Sequence, residues 1–244
     1  MKKRVFLFGL TALVSAGISP LRATATVLRT RFKKVESAVG SYKKARFDGE
    51  SGYVFTLKNS DGREREIAAE ASGRQRIELQ DASMKGQGTM RYSLDFLMPA
   101  LNDPDGRLEA KFIFFQVKPD RIRNIGFIPY VSIMVPQRYR SEGFHVDFDF
   151  SKKNIHVVTK KRISPGRWHN LDVTVNWTTG SSGFCTVAVD DQVIASHRGA
   201  TGPDVSPSAR PTFGVYRSHM DKTDPAKVED ITLYVKNVRV ERVA

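Results

Sequence analysis

Apolar residues recur at every second position through most of this chain, and that period limits it to β structure. The run from Leu171 to Trp177 is the clearest case. Leu171, Val173, Val175 and Trp177 share one face, and Asn170, Asp172, Thr174 and Asn176 share the other. Period two with one polar side describes a half-buried strand. Phe144, Val146, Phe148 and Phe150 alternate with His145, Asp147 and Asp149 in the same way. Further strands are expected over residues 52–57, 76–80, 89–97, 112–118, 130–135, 155–160, 192–196, 212–217 and 231–240. Turn clusters separate them, among them Asn59-Ser60-Asp61-Gly62, Asn102-Asp103-Pro104-Asp105-Gly106 and Ser164-Pro165-Gly166. Val189-Asp190-Asp191-Gln192-Val193 reads as a tight hairpin. Residues 27–42 fit a short helix or an edge strand equally well. Short strands at such spacing, with no recurrent helical period, predict an all-β sandwich or jelly roll.

The first residues follow a different rule. Met1-Lys2-Lys3-Arg4 is basic, Val5 to Ile18 is largely apolar but short for a bilayer, and Ala23-Thr24-Ala25 offers a small-residue cleavage site. The pattern predicts a signal peptide over residues 1–25, export to the periplasm or medium, and one domain over 26–244. No later apolar run is long enough to insert in a membrane, and a monomer is expected. The formal charge is +13, and removing residues 1–25, with Lys2, Lys3, Arg4 and Arg22 and no acid, leaves +9. A basic exported protein suits a polyanion, since a positive surface concentrates and steers it. Export favours an acidic polysaccharide over nucleic acid. The single cysteine, Cys185, allows no internal disulfide and sits in the apolar-rich run Phe184–Val189, so it reads as a buried structural thiol. Trp168 and Trp177 read as core residues.

Phosphate loops, dinucleotide-binding glycines, paired-cysteine motifs and zinc-protease motifs are absent. The histidines have no short metal-ligand spacing, and no metal or cofactor is expected. Three strands do carry chemistry. Arg76, Glu78 and Gln80 share a face, Gln116 and Lys118 share a face at the end of an apolar run, and Tyr216 lies on the side of Gly214. A glycine there clears the sheet surface for a ligand.

Arg76-Ile77-Glu78-Leu79, then Gln116-Val117-Lys118, then Phe213-Gly214-Val215-Tyr216-Arg217 resemble, in order and spacing, the jelly-roll polysaccharide lyases: alginate lyases, glucuronan lyases and heparin-lyase-like proteins. The run from Gly166-Arg167-Trp168-His169 to Val193 is similar to the glucuronan and heparin-lyase-like branch. The resemblance covers about residues 70–240. It implies a concanavalin-like jelly-roll sandwich of two antiparallel sheets, with a cleft on the concave sheet. It further implies β-elimination at a uronate in an acidic polysaccharide.

That reaction needs the sugar carboxylate neutralised, the C5 proton removed and the leaving oxygen protonated. By resemblance Gln116 and Arg76 hold the carboxylate and Tyr216 acts as acid, base or both. A phenol with a reference pKa of about 10 needs cations to ionise, and Arg217, Arg76 or Lys118 are placed to supply them. Glu78 is expected to orient Arg76. The pattern's histidine is replaced by Lys118, the neutraliser or base in its stead, and His145 is a candidate substitute base or substrate contact. The family's lysine before Tyr216 is also missing, with Thr212 near its place. Two rival readings stay open: a lectin-like binder of acidic glycans with the same fold, and an envelope or matrix protein with no dedicated site.

Overall fold

The computed structural model describes residues 25–35, 39–61, 75–81, 88–99, 112–119, 129–136, 143–150, 153–202, 209–217 and 228–244. The expected signal peptide, apart from Ala25, and the turn Asn102–Gly106 lie outside these residues. Among the described residues fifteen strands follow in chain order: β1 (Ala25–Val27), β2 (Phe32–Lys34), β3 (Ser41–Phe47), β4 (Glu50–Leu57), β5 (Gln75–Asp81), β6 (Gly88–Leu97), β7 (Phe112–Pro119) and β8 (Val131–Val135). Then come β9 (His145–Phe150), β10 (Lys153–Val158), β11 (His169–Trp177), β12 (Phe184–Val189), β13 (Gln192–Arg198), β14 (Ala209–Arg217) and β15 (Ile231–Val243).

They form two antiparallel sheets. The eight-stranded sheet runs β13-β12-β11-β6-β15-β4-β3, with β1 also paired to β15. The seven-stranded sheet runs β10-β9-β8-β7-β14-β5-β2. The all-β sandwich expected from the alternation is what the chain forms. Within segment 27–42, which the sequence left open between a short helix and an edge strand, the described residues include β2, which edges one sheet, and the start of β3, which edges the other.

The core lies between the sheets and is built from the apolar members of each alternation. Leu171, Val173 and Val175 of β11 and Val146 and Phe148 of β9 are fully buried. Phe96 meets Phe114 with ring centroids 4.6 Å apart, and Phe55 meets Phe213 edge-on at 5.8 Å, tying sheet to sheet. Each such side chain contributes roughly 1.5–3 kcal/mol on burial. Cys185 is buried, and burial pushes its thiol well above the usual range, so it is inert packing. Trp177 joins the core, donating its indole N–H to the Tyr92 hydroxyl at 3.3 Å. Trp168 corrects the expectation. It is only half-buried, packs on Phe47, and carries Lys236 4.8 Å above its ring.

The hairpin between β12 and β13 turns through Asp190 and Asp191, both at positive φ, as a two-residue loop requires. Asp190 is also an anchor. One carboxylate oxygen takes Lys161 at 3.1 Å, Arg167 at 3.0 Å and the buried His169 ring at 2.9 Å, and the other accepts the Asn170 amide at 3.1 Å. Burial pushes this carboxyl up, but hydrogen bonds from His169, the Asn170 amide and Lys161 outweigh it and bring the pKa down to about 2. A depressed carboxylate contributes stability above its unfolded pKa and loses it on acidification. Stability is therefore expected to fall as pH drops from about 4 to about 2. In pH-dependent melts Asp190→Asn should shrink that fall. At neutral pH Asp190→Ala should cost about 2 kcal/mol, because His169 and the Asn170 amide lose their acceptor.

Candidate functional site

The outer face of the seven-stranded sheet gathers most of the candidate residues. On β5, Ile77 and Leu79 enter the core while Arg76, Glu78 and Gln80 face outward. β14 lies beside β5 in straight register, with Tyr216 opposite Arg76, Gly214 opposite Glu78 and Thr212 opposite Gln80. On its other side β14 pairs with β7, placing Gln116 opposite Thr212, and an irregularity interrupts this pairing between Phe213 and Tyr216. The irregularity coincides with Gly214, which has φ +141°.

Two contacts and one unsatisfied group define the centre. The Lys118 ammonium reaches from β7 across β14 to the Glu78 carboxylate on β5, 3.1 Å away. The same ammonium lies 5.9 Å from the centroid of the Tyr216 ring. Gln116 is only 1% exposed, and its Oε1 has no hydrogen-bond partner among the described residues. A buried amide left unsatisfied costs stability and marks a place where structure yields to another demand. The amide offers an acceptor on one side and a donor on the other, so rotating its end exchanges them.

Glycine at 214 lets β14 lie close against the backbone of β5 beside Glu78. A Cβ there would sit 2.2 Å from the Ile77 carbonyl oxygen. The expectation that Glu78 serves Arg76 is thus modified, since the carboxylate, 2% exposed, is engaged by Lys118.

Two other candidates are not brought to this centre. Arg217, next along the strand from Tyr216, points to the opposite face. It is 3% exposed and donates from Nη2 to the Glu229 carbonyl. It does not supply the cation beside Tyr216. His145 does face outward, but on β9, three strands from β14, or roughly 14 Å at ordinary strand spacing. There it meets the His156 ring edge-on at 5.0 Å, too far away to act as a base in place of the missing histidine. His156, opposite Asp147 on the neighbouring strand, was not among the sequence candidates, although the alternation of β10 carried the signal.

A cleft of about 880 Å³ opens elsewhere, at the β2 and β3 edge of the sandwich, lined among others by Lys44, Arg46, Tyr53 and Arg239. None of the candidate residues borders it. Charged residues on the inner side of an edge strand are a common guard against edge-to-edge pairing. Among the described residues, no group of three or more His, Cys, Asp or Glu side chains is arranged to hold a metal ion, and no helix is long and apolar enough to cross a membrane.

Two stacked antiparallel sheets with this strand order define a jelly-roll sandwich. The polysaccharide lyase family model matches residues 24–239, and the chain belongs to that family of enzymes. Its fold is similar to an endo-β-1,4-glucuronan lyase from the fungus Trichoderma reesei, with TM-score 0.65 and 14% identity over 85% of this chain and 89% of that one. An alginate lyase from Pseudomonas aeruginosa matches with TM-score 0.54 and 14% identity over 81% and 84% of the two chains. An endo-1,3-β-glucanase from Streptomyces sioyaensis also matches, with TM-score 0.54 and 9% identity over 80% and 77%. At such identities the likeness concerns the fold, which different chemistries share. Among curated proteins there is no match.

Proposed function

We propose that the protein is an exported lyase that cleaves a uronate-containing polysaccharide by β-elimination on the outer face of the seven-stranded sheet. The observation that carries this reading is the Lys118–Glu78 pair beside Tyr216, with the unsatisfied amide oxygen of Gln116 on the same face. Arg76, opposite Tyr216 in register, adds a second cation. Together they suit a sugar carboxylate whose charge must be held as electrons flow toward it. The C5–H bond breaks, its electron pair becomes the C4–C5 double bond, and the C4–O4 bond breaks. The C5 proton goes to the base, and the leaving oxygen takes a proton from the acid. Tyr216 serves as acid, base or both. Lys118, paired as an ammonium with Glu78, acts as a neutraliser and not as the base. Export rests on the leader pattern of residues 1–25, and an acidic substrate fits the +9 charge left after its removal.

The test is to incubate the protein with glucuronan, alginate and heparin-type chains and follow the ultraviolet absorbance of unsaturated ends. Absorbance should rise with at least one polymer, and Lys118→Gln should lower kcat by about 10²–10³-fold, the scale of losing one stabilising group. Folded protein silent on all three would refute the reading. The departure of Lys118 from the family's histidine favours one alternative, a glycan binder without chemistry. It would show salt-sensitive retention of the polymers and no new chain ends.

A further inference from the structure

The same sheet face changes character toward β10. On β5, β14 and β7 its outward residues include Arg76, Arg210 and Lys118, while on β9 they are His145, Asp147 and Asp149. β10 sets Asn154, His156 and Val158 opposite Asp149, Asp147 and His145. β8, on the other side, sets Ser132 opposite Asp147 and Met134 opposite His145, and so adds no charge. His156 Nδ1 lies 2.5 Å from Asp147 Oδ1, and its ring abuts His145. A continuous register joins this cluster to the centre: Thr212, Gln116, Ser132, Asp147, His156.

We propose that the β9–β10 end of the face is a second sugar subsite whose charge is set by His145 and His156, so that it accepts a uronate unit when both imidazoles are protonated and disfavours one when they are neutral. The inference rests on the proposed action of this face on a uronate polymer. With neutral imidazoles the subsite holds two carboxylates and no described cation. Asp149 already feels this crowding, its carboxyl raised first by burial and then by the charge of Asp147. A uronate bound there would be a third negative charge, whereas a sugar offering hydroxyls meets acceptors in Asp147 and Asp149. With protonated imidazoles the charges cancel and the repulsion goes. β9 is two strands from Gln116 and Lys118, roughly 10 Å, so the subsite reads a neighbouring sugar unit and not the one being cleaved.

The experiment measures equilibrium binding of glucuronan, a polymer of uronate units, to the full chain carrying Tyr216→Phe, so that no cleavage intervenes. Between about pH 8 and about pH 5, where histidine takes up its proton, affinity should rise by about fivefold for each imidazolium, the upper size of an exposed ion pair. Adding His145→Gln and His156→Gln should abolish the rise and leave affinity at the higher pH unchanged. Asp147→Asn with Asp149→Asn should give, at the higher pH, the affinity that the histidine-bearing protein reaches only at the lower. If the double glutamine variant does not fold, His156→Gln alone, at a largely exposed ring, should halve the logarithmic rise. An undiminished pH response in the histidine variants would overturn the subsite while leaving the uronate reading standing. No binding at either pH would sink both.

Discussion

Tyr216→Phe should lower kcat by about 10²–10⁴-fold, the range over which one positioned proton-transfer group contributes. KM should change little, because the proposed carboxylate contacts from Arg76, Gln116 and Lys118 are left in place. The substitution removes one oxygen from a half-buried side chain at the surface of β14, so Tm should stay within about 2 °C of the parent. The combination separates chemistry from folding. An enzyme of unchanged kcat would remove Tyr216 from the reaction, and an unfolded variant would show that its hydroxyl is structural.

The second large effect is on stability. Gly214→Ala brings a Cβ to 2.2 Å from the Ile77 carbonyl oxygen and 2.8 Å from Glu78 Cα, at a φ of +141° that side chains avoid. Both partners are backbone, so neither can swing aside. Strain of this kind, added to the overlap, should cost about 3 kcal/mol and lower Tm by roughly 10 °C in a chain of this length. Because the displaced neighbour is Glu78, activity should fall even at temperatures where the variant is folded. A variant with unchanged Tm and unchanged kcat would mean that β5 and β14 are not in the contact described.

Much of the sandwich was written in local alternation. β9 and β11 show it plainly, since each buries every second residue and leaves polar residues outside. β3 was missed because its inner face carries Tyr42, Lys44 and Arg46, opposite Phe55, Tyr53 and Ser51 of β4. Charges on the core side of an edge strand erase the apolar period while blunting the edge. The site was legible only in pieces. That Arg76, Gln116, Lys118 and Tyr216 share one sheet depends on the strand order β5-β14-β7, which is set by pairings between distant parts of the chain. For the same reason nothing local could show that Lys118 would take Glu78, or that His145 would stand three strands away beside His156. The placement of Arg217 was legible. Alternation that turns Tyr216 outward turns its neighbour inward, where it is held by the Glu229 carbonyl.

The central claim is a bond broken by elimination at a sugar carboxylate held on this face, and the fold alone does not choose elimination over hydrolysis. Digesting glucuronan in heavy-oxygen water and weighing the fragments decides between them. Elimination yields fragments with unsaturated non-reducing ends and no heavy oxygen fixed at the break, and that is the expected result. Saturated ends carrying heavy oxygen would mean that water had attacked the linkage, and that Tyr216, Gln116 and Lys118 do not act as carboxylate neutralisers and proton-transfer groups in an elimination.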